Sequence, residues 1–100
     1  MNTTMSSVQE DTITSILAHM NRLGGNPDRW NIGIASNIRK KLFEDLKISE
    51  ENGKWIYSTL ESNLAANEVK KHFVSLGLNA NPSDDDNVGD VIFAYQKSIT

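Results

Sequence analysis

Trp30-Asn31-Ile32-Gly33-Ile34-Ala35-Ser36-Asn37-Ile38-Arg39-Lys40-Lys41-Leu42-Phe43 decides the fold of this chain. Trp30, Ile32 and Ile34 alternate with Asn31, Gly33 and Ala35, the period of a half-buried strand. Gly33 leaves room in its middle for a backbone or ligand to come close. Ser36 has the hydroxyl of a helix N-cap. Ile38, Leu42 and Leu46 then repeat at helical spacing, with Arg39, Lys40, Glu44 and Asp45 mostly on other faces. A strand, a tight turn and an immediate helix are expected.

Upstream, Ser7 and Glu10 have the spacing of a capping box. Ile13, Ile16, Leu17, Met20 and Leu23 form one apolar stripe, and Gly24-Gly25 supplies a left-handed C-cap before the turn Asn26-Pro27-Asp28. A first helix from about Val8 to Leu23 follows. Downstream, Asn52-Gly53 marks a turn, and Lys54 to Leu60 alternates with aromatic and β-branched residues as a second strand. Asn63 is the expected cap of a third helix that buries Ala65, Val69, Phe73 and Leu76 and ends at Gly77. Asn79 to Asp90 reads as one long polar loop. Val91 to Gln96 closes the chain as a strand apolar on both faces, hence central or well covered. The expected class is α+β in the order α-β-α-β-α-β, a small three-stranded sheet with packed helices in two layers.

One hundred residues make a single domain, 1–100, with residues 1–6 frayed. No cysteine is present, which removes disulfides, thiol catalysis and thiolate metal sites. No apolar run approaches the ~20 residues of a membrane-spanning helix. The N-terminus lacks a signal-peptide layout, so the expected location is the cytoplasm. The formal charge of -3 leans against a general DNA binder. Arg39-Lys40-Lys41 and Lys70-Lys71 are local basic groups, offset by Asp84-Asp85-Asp86. There is no phosphate loop, dinucleotide fingerprint or nucleophile elbow.

The opening stretch resembles the second motif of the GIY-YIG nuclease domain. Gly33 matches the motif's glycine, and Asn37, Ile38 and Leu42 fit its pattern. Ala35 stands where threonine is usual, Asn31 at the tyrosine, Lys41 at the catalytic arginine and Asp45 at a frequent histidine. With Trp55-Ile56-Tyr57 and Val91-Ile92-Phe93-Ala94-Tyr95, the likeness extends over most of the chain to small bacterial and phage proteins of this type. The family's first motif, on an opening strand, has no counterpart, since a helix stands in its place.

The resemblance implies candidate residues. Glu68, in Ala65-Ala66-Asn67-Glu68-Val69, resembles the family's metal-binding glutamate, which holds a divalent cation against the cleaved phosphodiester. Its plainer reading is a helix glutamate paired with Lys71 or His72. Lys41 offers a point charge where arginine would clamp phosphate with a fork. Asn31 cannot act as a base near neutral pH, although its amide can bond a ligand. Tyr57 and Tyr95 are candidates for the missing tyrosine. Asn31, Gly33, Arg39 and Lys41 are the expected ligand contacts. His19 and His72 share no metal-ligand spacing and read as structural. Trp30 and Trp55, opening two strands, can stack bases, anchor a partner or close a core.

With the tyrosine and arginine lost, the expectation is a non-catalytic binding module for a protein or nucleic-acid partner, with no cofactor. Two other readings stand beside it. One is a metal-dependent DNA endonuclease, in which Glu68 holds the cation and Lys41 and Tyr57 or Tyr95 share its cleft. The other is an interaction protein acting through the acidic loop.

Overall fold

The alternating stretch forms the strand its pattern predicts, β1 (Trp30–Ala35). The structure, a computed structural model, describes residues 6–24, 26–45, 47–48, 51, 53–80 and 89–96. Around β1 lie β2 (Lys54–Thr59), β3 (Asn79–Ala80) and β4 (Val91–Gln96) in the spatial order β2-β4-β1-β3. β4 runs antiparallel to both β1 and β2, while β3 runs parallel to β1. The sheet thus has four strands rather than three. The added one is only Asn79 and Ala80, paired with Asn31 and Ile32. Two residues carry no alternation to read. Asn79 is held there by its side-chain amide, which donates to the carbonyls of Asp28 at 2.7 Å and Trp30 at 3.4 Å. Residues 81–88 of the expected loop, including Asp84-Asp85-Asp86, lie outside the described residues, while Gly89 and Asp90 lead into β4.

Helix α1 (Ser7–Leu23) begins one residue earlier than expected. Its capping box is Ser6 with Gln9: Gln9 N donates to Ser6 Oγ, and Ser6 N donates to Gln9 Oε1. An amide oxygen serves as well as a carboxylate here. The helix stops at Gly24, whose φ of 72° is the left-handed cap the Gly-Gly pair predicts. In α2 (Asn63–Ser75), Ser62 rather than Asn63 is the cap, accepting from Ala65 N. Asn63 instead donates its side-chain amide to the Gly89 carbonyl at 2.6 Å. Leu76 does not join the core, being 43% exposed. The turn at Gly77, with φ of 112°, delivers Leu78 to the core in its place.

The middle helix departs most from expectation. Asn37, not Ser36, caps it: Asn37 Oδ1 accepts from Lys40 N at 3.2 Å and its carbonyl from Lys41 N at 3.0 Å. From Lys40–Asp45 the backbone then winds as a π-helix. Ile48 N closes the segment onto the Leu42 carbonyl, and Lys47 takes a left-handed φ of 57°. Leu46 lies outside the described residues.

The sheet separates two apolar clusters. Trp30, Ile32, Ile34, Ile92 and Ala94 meet Ile16 and Met20 of α1 and Ala66, Val69 and Phe73 of α2. On the opposite face, Ala35, Phe93 and Tyr95 meet Leu42, with Ile38, Phe43, Ile48 and Trp55 at the margin. There are accordingly three layers, not two, and β1 is covered on both faces rather than half-buried. β4 is the central strand its two-sided apolar pattern predicts. At the end of β1, Gly89 lies so close that a Cβ there would stand 2.5 Å from the Ala35 carbonyl carbon. Among the described residues no helix is long and apolar enough to cross a membrane.

Candidate functional site

Strand register sorts the candidate residues by face. Asn31 and Trp55 both pair with Tyr95, and Gly33 and Tyr57 both pair with Phe93. Directly opposed residues point to the same side of a sheet. Asn31, Gly33, Trp55, Tyr57 and Tyr95 therefore share the face that packs against Leu42; Arg39 reaches that side through Phe43, and Lys41 belongs to the π-helical segment that packs there. Six of the seven candidate residues thus come together on one side of the sheet.

Glu68 does not join them. It belongs to α2, which packs on the other face, so the sheet itself stands between Glu68 and Lys41. Its Oε1 accepts from Gln9 Nε2 at 2.8 Å, and the same amide reaches the Ala65 carbonyl at 3.2 Å. Gln9, 3% exposed, ties α1 to α2 through these bonds. Among the described residues no three His, Cys, Asp or Glu side chains cluster.

On the shared face the side chains form a row of rings. The Arg39 guanidinium carbon lies 5.3 Å from the centroid of Phe43, a cation–π contact. Phe43 meets Trp55 edge-on at 5.2 Å, and Trp55 lies nearly parallel to Tyr57 at 6.0 Å and 8°. Behind them, Phe93 stacks on Tyr95. The row runs from buried to open: Tyr95 is 2% exposed, Trp55 half-buried and Tyr57 43% exposed. Burial raises the pKa of the Tyr95 hydroxyl above the usual tyrosine value. That keeps it protonated near neutral pH and unsuited to act as a base.

The remaining candidates lie apart from the ring row. Trp30 is fully buried and cannot offer its ring to a base. It packs edge-on against His19, and the indole Nε1 and the His19 Nε2 are both buried without a partner among the described residues. Burial lowers the His19 pKa, and the Arg22 charge adds to this; a hydrogen bond with the Trp55 backbone works in the opposite sense. His72 packs edge-on against Phe73 beside it. Lys70 and Lys71 line a shallow groove with Asn67, Val74 and Ser75 on the outer face of α2, away from the rings.

Phe43 is the member of the row that sequence reasoning passes over. Its spacing of four from Arg39 was visible, and so was the alternation that aligns Trp55 with Tyr57. The contact between Phe43 and Trp55 joins two separate segments and has no local signature. No protein-family model matches the chain, and no curated protein or solved structure is a match either.

Proposed function

We propose that this chain is a non-catalytic, GIY-YIG-like binding domain that takes a protein or nucleic-acid partner on the ring-bearing face of its sheet. The observation that carries the proposal is the Phe43–Trp55–Tyr57 row, which ends in an exposed tyrosine and begins under a guanidinium. Exposed, flat aromatic surface with a cation beside it is the usual chemistry of recognition hot spots. A shell of residues around it can exclude water while the rings supply the contact.

Three features support the absence of catalysis. Asn31 offers an amide where a base would be needed. The Tyr95 hydroxyl is buried, and burial raises its pKa further above a tyrosine value that already lies above neutral pH. Glu68 accepts a hydrogen bond from Gln9 on the far side of the sheet from Lys41.

A nicking assay on supercoiled DNA with Mg²⁺ or Mn²⁺ tests the reading. The expected result is no nicking by the purified protein. Nicking that disappears in Glu68→Ala would overturn it.

A further inference from the structure

We infer that the partner of the ring face is a single-stranded nucleic acid, its bases stacked on Tyr57 and Trp55 and its phosphates beside Arg39 and Lys40. This rests on the reading of that face as a binding surface and narrows it to one chemistry.

Three features lead there. The first is ring geometry. Trp55 and Tyr57 are two residues apart on one strand face, their planes within 8° of each other, and Tyr57 is 43% exposed. An exposed ring with a near-parallel, half-buried ring beside it offers a π-face to a base, and such stacking tolerates any base. The second is charge. Arg39 and Lys40 are exposed at the start of the π-helical segment, whereas Lys54, paired with Gln96 and through it with Trp30, belongs to the opposite face. A proline-rich peptide would gain from the rings but nothing from Arg39 and Lys40, whereas a polyanion gains from both.

The third feature excludes a duplex. Bases in a duplex have their faces occupied by neighbouring bases. Duplex readers place a helix or ribbon in a groove, and among the described residues the rings lie on a sheet face flanked by a short π-helical segment. Glu44 and Glu51 are also exposed on this segment and the connection after it, so the local field is modest. Contacts from Arg39, Lys40 and Lys41 would give affinity for a strand a logarithmic salt slope of about -2.

The experiment is a fluorescence-anisotropy titration of a labelled short oligothymidylate with the full chain at low salt, repeated with a duplex of equal length and with a proline-rich peptide. Amide spectra verify that each variant is folded. The expected result is saturable binding of the single strand in preference to the duplex and the peptide. Tyr57→Ala should weaken it about five- to a hundred-fold, and Tyr57→Phe, which keeps the ring, should leave it nearly unchanged. Binding that is indifferent to Tyr57→Ala overturns the inference, as does stronger binding of the duplex. Binding of the peptide alone, with amide shifts at Trp55 and Tyr57, also overturns it while leaving the binding-face reading intact. Binding of none of the three probes overturns the single-strand assignment too. Metal-dependent nicking through Glu68 would instead sink the underlying reading.

Discussion

Tyr57 and Glu68 show how much a residue's meaning depends on where the fold sends it. Both are polar side chains in regular elements, yet one ends an open ring row and the other accepts a hydrogen bond between helices. His19 shows the same dependence in its protonation. Burial lowers its pKa from the ordinary value of 6.5, so the folded state holds it neutral where the unfolded chain begins to take up a proton. Its contribution to stability is therefore complete above pH ~6.5 and is lost as pH falls through the lowered folded value. The urea midpoint should drop between pH 7.5 and 5.5, and the drop should shrink in His19→Asn. Equal drops in the two proteins would show that His19 does not carry the effect. Gly89 poses a steric question instead. A methyl group there meets the Ala35 carbonyl and the Ser36 amide, all backbone atoms that cannot swing aside. Gly89→Ala should cost about 1–3 kcal/mol in a denaturant titration, and an unchanged midpoint would contradict the close approach.

At the scale of elements, the legible parts were those with a local pattern. Trp30–Ala35, Lys54–Thr59 and Val91–Gln96 alternate, and Ser7–Leu23 and Asn63–Ser75 carry apolar stripes with caps. Each element appears within a residue or so of its expected bounds. The cap positions slipped by one because neighbouring Ser and Asn residues all have a suitable side chain. Two elements were not legible. β3 consists of two residues held by side-chain bonds from Asn79, and the π-helical winding at Lys40–Asp45 leaves the i, i+4 pattern of Ile38 and Leu42 unaltered. A π turn is set by where the chain must go next, here the closure of Ile48 onto Leu42. Likewise the ring row was half legible, since the Trp55–Tyr57 pair is local and its contact with Phe43 is not. Gln9 gives the sharpest test at this scale. It completes the capping box of α1 and bonds both Ala65 and Glu68 of α2. Gln9→Ala removes a cap and a buried donor together, so a loss of about 1–3 kcal/mol is expected in thermal or chemical unfolding. A loss near zero would mean that the helices are held by apolar packing alone.

For the whole molecule, the sheet divides labour. One face is sealed by α1 and α2 around Ile16, Val69 and Phe73, and the Gln9–Glu68 bond lies between those helices. Among the described residues a short segment packs on the other face, which buries Phe93 and Tyr95 and leaves Tyr57 toward solvent. This division separates stability from binding, and variants on the two faces should separate them in experiment. The most direct measurement compares Tyr57→Ala with Glu68→Ala in one pair of assays, urea unfolding and oligothymidylate binding. The account predicts that Tyr57→Ala loses binding with its unfolding midpoint nearly unchanged, whereas Glu68→Ala lowers the midpoint and binds as the parent does. Loss of binding in Glu68→Ala while Tyr57→Ala binds normally would contradict it, and would move the functional surface to the helical side of the sheet.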